Sequence, residues 1–95
     1  MTTFAVIYTY GNDDAARDEF RPVHKDFLET QYNAKSLLAS GPINDDKPGA
    51  LLIMSGDSRD DVADLMDRDP FMQEGLIANR EIREWNIFFG GFKDN

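Results

Sequence analysis

The sequence predicts an α+β domain in which strands and helices follow the order β-α-β-β-α-β. Three observations predict it. A β-branched and aromatic run, residues 3–10, ends at the turn signal Gly11-Asn12. Two further extended segments are joined by the turn-rich link Asn44-Asp45-Asp46-Lys47-Pro48-Gly49, which reads as a hairpin. Apolar residues at helical spacing appear on either side of that hairpin, each time followed by another extended segment.

In the first strand Phe4, Val6, Tyr8 and Tyr10 share one face, and Ala5, Ile7 and Thr9 share the other. Residues 12–20 are polar and loop-like, with a helical turn as the alternative. A helix is expected from about Arg21 to Tyr32, with Pro22 in its first turn, where a missing N–H costs little. Its apolar stripe is Phe20, Val23, Phe27, Leu28 and Tyr32. Ser36 to Ser40 is the second strand, closed by Gly41-Pro42, and Ala50 to Met54 is the third. Ser58 with Asp61 reads as a capping box for a second helix carrying Val62, Leu65 and Met66. Asp69-Pro70 stops that helix and opens a short turn through Phe71, Met72 and Leu76. Residues 80–89 form the last strand, with Trp85, Ile87 and Phe89 on one face.

That order implies a ferredoxin-like, four-stranded antiparallel sheet with both helices on one face. Strands one, three and four carry apolar residues on both faces. A sheet covered on one side only would expose them as a large patch. A second copy packed face to face about a two-fold axis resolves this, so a homodimer is expected.

Composition narrows the function. A chain of 95 residues makes a single domain, 1–95, and with no cysteine it has neither a disulfide framework nor a thiol nucleophile. The net charge of -8 repels phosphate backbones and anionic lipid, so no nucleic-acid partner and no membrane partner is expected. No window is apolar enough to span a bilayer, and no basic, apolar leader opens the chain. The protein is read as cytoplasmic. A single histidine without cysteine argues against a structural zinc site, and no cofactor is implied.

His24 is the only histidine. Four residues after Phe20 and three before Phe27, it sits on or beside the helix face turned to the sheet. One reading makes it a packed core imidazole. The other makes it a general acid/base, since an ordinary imidazole titrates near neutral pH. Asp69 before Pro70 reads as a helix N-cap, or as a carboxylate that accepts a hydrogen bond from His24 and fixes its tautomer. Arg21, one turn before His24, is either a surface arginine near Asp18 or Glu29, or a bidentate anchor for an anionic substrate. Gly41-Pro42 is a turn, or a place where backbone approaches a ligand closely. Tyr8 and Tyr10 could line a cavity or belong to a dimer core.

Arg21-Pro22-Val23-His24, Leu37-Leu38-Ala39-Ser40-Gly41-Pro42, Asp69-Pro70-Phe71 with Gly75, and the strand around Trp85 together resemble the YCII-related family. The resemblance runs from Phe4 to about Phe89. It implies a dimeric α+β barrel with a His–Asp pair in a cleft. Carried over, His24 and Asp69 match the family pair, Arg21 the arginine ahead of the histidine, and Gly41 and Pro42 the turn lining the cleft. One branch of the family resembles enzymes that eliminate chloride from chlorinated hydroxyquinols. The wider superfamily includes muconolactone isomerases and haem enzymes, the last resting here on His24 alone. The function expected is acid/base elimination or isomerisation of a small cyclic or phenolic metabolite by His24 and Asp69, with Arg21, Gly41, Pro42 and Tyr8 as substrate-binding residues. The alternative is a non-catalytic small-molecule-binding domain.

Overall fold

A computed structural model describes residues 1–92. The elements are β1 (Thr2–Tyr10), α1 (Asp14–Asn33), β2 (Leu37–Ile43), β3 (Gly49–Gly56), α2 (Arg59–Met66), α3 (Pro70–Gln73) and β4 (Ile77–Glu84). The four strands form one antiparallel sheet in the order β2-β3-β1-β4. This is the ferredoxin-like arrangement, with a short third helix inserted before the last strand.

The sheet's buried face follows from strand alternation. Val6 lies opposite Leu52 on one side and Ile82 on the other, so all three point to the helices. With Phe4, Met54, Val62 and Met66 they form the core. Each such side chain contributes about 1.5–3 kcal/mol on leaving water. Gly49 is required where β3 meets β1, because a Cβ there would stand 2.0 Å from the Tyr8 carbonyl oxygen.

Five expectations need correction. The helix α1 begins at Asp14, not near Arg21. Asp13 caps it, its side chain accepting the Ala16 N–H at 3.0 Å, and Asp14 complements the positive helix end. Pro22 therefore lies inside the helix, where a proline costs about 3 kcal/mol. The buried stripe is correspondingly different. Arg17 and His24 are buried, whereas Val23 and Tyr32 are 47% and 44% exposed.

The strand β2 continues through Gly41-Pro42 to Ile43. Its position at the sheet edge tolerates a proline, which has no N–H to offer an outer neighbour. The strand β4 runs from Ile77 to Glu84 rather than 80–89. Its partner β1 begins at Thr2, so the ladder ends there with the Trp85 N–H on the Thr3 carbonyl. Trp85, Ile87 and Phe89 follow that ladder, outside any strand.

On the open face, Ala5, Ile7, Leu51 and Ile53 are apolar, but β4 presents Glu81 and Arg83 beside them. Only β1 and β3, not β4, are thus apolar on both faces. No helix among the described residues is long and apolar enough to cross a membrane.

Candidate active site

The tripeptide Asp69-Pro70-Phe71 builds one wall of the site. Asp69 is the N-cap of α3, its Oδ1 accepting the Phe71 N–H at 3.0 Å, and Pro70 occupies the first helical position. The helix lasts one turn. It ends in a Schellman motif, with Gly75 at a positive φ of 70°, the Gly75 N–H on Met72 O and the Leu76 N–H on Phe71 O. This turn carries the chain into β4. It also leaves Asp69 wholly buried and Phe71 1% exposed against α1.

From α1, His24 meets both residues. Its Nδ1 lies 2.7 Å from Asp69 Oδ1. Its ring stacks on Phe71 with centroids 3.9 Å apart and planes 1° from parallel. From β1, the Tyr8 hydroxyl donates to Asp69 Oδ2 at 2.9 Å. Two donors from the backbone and Tyr8, with the imidazole, converge on two carboxylate oxygens. That arrangement suits the ionised, acceptor-only form and makes His24 Nδ1 the donor. Both the capping role and the histidine contact expected of Asp69 are therefore present in one side chain.

The other ring nitrogen, Nε2, has no hydrogen bond to a described residue. No buried side-chain nitrogen or oxygen among the described residues lacks a partner, so Nε2 reaches solvent. It does so at a cavity of about 520 Å³, lined in part by His24, Tyr10, Arg21, Gly41, Pro42 and Phe71. A volume of that size suits a small ring compound. His24 is thus held by an edge and a face while one nitrogen stays free, as an acid/base group requires.

Of the residues expected to touch ligand, Arg21, Gly41 and Pro42 line the cavity. Tyr8 does not. It is 1% exposed and stands behind Asp69, its hydroxyl engaged by that carboxylate. Burial, and then the Asp69 charge and hydrogen bond, push its phenol far above the ordinary value of 10.0. Tyr10 is the tyrosine at the cavity. Burial, followed by the Asp69 charge, also raises its phenol, against the lowering effect of Arg17 and Arg21.

Sequence reasoning missed two contributors. Arg17 is buried, bonds the Gly11 carbonyl and Asp14, and sits 4.8 Å from the Tyr10 ring centre. It anchors the strand end that presents Tyr10. The loop-like reading of residues 12–20, with at most a helical turn, concealed it. Lys25 lines the cavity beside His24. Its position four residues after Arg21 was the available signal.

The chain thus combines a ferredoxin-like sheet, a widely used fold, with a buried carboxylate–imidazole pair beside a small cavity. The chain belongs to the YCII-related domain family, whose match spans residues 2–86. In structure it is similar to 5-chloro-2-hydroxyhydroquinone dehydrochlorinase (TftG) from Burkholderia phenoliruptrix AC1100, solved in complex with 2,5-dihydroxybenzoquinone. The TM-score is 0.77 at 25% sequence identity, covering 88% of this chain and 93% of that one. No curated protein matches the chain.

Proposed function

We propose that this chain is a small-molecule enzyme, a cytoplasmic homodimer in which His24 exchanges a proton with a cyclic or phenolic compound. The carrying observation is the His24 Nδ1–Asp69 contact of 2.7 Å with Nε2 left free at the cavity. Asp69 holds the tautomer whose lone pair lies on Nε2 and steadies the imidazolium that forms on proton uptake. In an elimination of the dehydrochlorinase kind, Nε2 takes an acidic ring proton as chloride departs, so the substrate loses the elements of HCl. In an isomerisation the same nitrogen returns the proton at another carbon. The relative that binds 2,5-dihydroxybenzoquinone supports a planar, oxygen-rich ring as ligand.

The dimer reading rests on Ala5, Ile7 and Leu51 on the open sheet face, where Leu51 is 40% exposed. Analytical ultracentrifugation is expected to give a two-copy mass, and charging the face by Leu51→Glu is expected to give the single-copy mass.

The catalytic reading is tested by chloride release from 5-chloro-2-hydroxyhydroquinone and by conversion of unsaturated lactones. Turnover is expected with the unaltered chain. His24→Gln is expected to lose on the order of 10²–10⁴-fold, the range a positioned acid/base supplies. A His24→Gln variant at full rate would refute the role of His24. Ligand binding without any turnover would favour a binding domain.

A further inference from the structure

Arg21, His24, Lys25 and Leu28 follow the i, i+3, i+4, i+7 pattern, so a single stripe of α1 forms one wall of the cavity. That stripe places two cations in the same cavity wall as His24. The chain has 18 acidic residues against 10 basic ones, yet among the described residues no carboxylate lines the cavity, where Arg21 and Lys25 are the permanent charges. Such a local reversal of sign is unexpected if the cavity takes neutral rings. The overall negative field repels anions, and only cations close at hand offset it.

The surroundings leave these cations available. Asp69 lies behind His24 with both oxygens already accepting hydrogen bonds. Arg21 contacts Asp18, but that carboxylate is 71% exposed and the pair is solvent-screened. A desolvated, bidentate anion can replace it. Tyr10, Leu28, Leu52 and Phe71, also in the lining, supply an apolar wall for a ring.

We propose that the site selects a cyclic organic anion, its ring against the apolar wall and its acidic oxygen, a carboxylate or an ionised enol or phenol, held jointly by Arg21 and Lys25. This deepens, and rests on, the reading of the cavity as a small-molecule site. Lys25 then acts as a specificity residue. It secures charge, while His24 remains free to move a proton.

Isothermal titration calorimetry of the full chain tests this without requiring turnover. The probes are 2,5-dihydroxybenzoquinone and 2,5-dihydroxybenzoate, both anionic at neutral pH, and the uncharged hydroquinone. The anions are expected to bind about tenfold or more tightly than hydroquinone, as two charge-assisted contacts imply. Lys25→Gln and Arg21→Gln are each expected to weaken the anions about three- to tenfold and leave hydroquinone unchanged. Lys25→Arg is expected to restore most of the loss. Hydroquinone binding as tightly as the anions, or a Lys25→Gln variant with unaltered anion affinity, would overturn the clamp and leave the small-molecule reading intact. Absence of binding by all three probes would contradict both.

Discussion

Asp13 and Asp69 are the same residue in the same local role, each an N-cap whose side chain accepts a backbone N–H two or three residues on. Asp13 is exposed and does nothing more. Asp69 is wholly buried, and the capacity left after capping is taken by His24 and Tyr8. The difference shows how a fold turns a structural feature into a site. Capping fixes the carboxylate's position, burial removes competing water, and two side chains from other elements meet oxygens whose direction is already set. Pro70 and Gly75 bound the single helical turn that makes this possible.

Removing each cap in turn separates the two aspartates most strongly. Asp69→Ala leaves Tyr8 and the His24 Nδ1 buried without a partner and is expected to cost about 3–5 kcal/mol. Asp13→Ala is expected to cost only about 1 kcal/mol. Urea unfolding of both variants measures the gap, and equal losses would show that Asp69 is no more than a cap.

Tyr8→Phe is an intermediate case. It strands one buried carboxylate oxygen and is expected to cost about 1–3 kcal/mol at neutral pH. Its pH dependence has a definite sign. The folded phenol titrates far above its unfolded value of 10.0. The folded state therefore keeps its proton where the unfolded chain loses it. That contribution is complete below pH 10 and is lost as pH rises beyond it. Tyr8→Phe is expected to make the alkaline fall in stability shallower, with the raised phenol of Tyr10 accounting for part of what remains. Unfolding midpoints from pH 8 upward, together with tyrosinate absorbance, check this.

The smallest effect lies at the other end of α1. That helix ends in the same Schellman geometry as α3, with the Lys35 N–H on Tyr32 O and the Ser36 N–H on Gln31 O, but with a lysine at φ 68° where α3 has glycine. Lys35→Gly relieves the Cβ crowding of that conformation and is expected to gain up to about 1 kcal/mol by thermal unfolding. Turnover is expected to be unchanged.

What the sequence made legible follows from which interactions are local. The period-two strands, the hairpin link and the Ser58 cap are short-range patterns, so the order of elements could be read directly. His24 and Asp69 stood out because each occupied a position with a local reason to be there. Their contact joins residues 45 apart in sequence and needed the packing of α1 on α3 to become visible. The first two turns of α1 were obscured by Asp13, Asp14 and Asp18, which resemble a solvated loop, and by Pro22, which resembles a helix start. The role of Tyr8 was hidden because position within a strand gives a face, not the partner waiting on it.

Catalysis by this site requires Asp69 to hold the His24 proton on Nδ1 and keep Nε2 free for chemistry. Nitrogen-15 NMR of the single histidine, at a pH where the ring is neutral, reads this directly. A protonated Nδ1 and an unprotonated Nε2 are expected in the unaltered chain, with that preference lost in Asp69→Asn. A ring protonated on Nε2, or one indifferent to the change at Asp69, would contradict it.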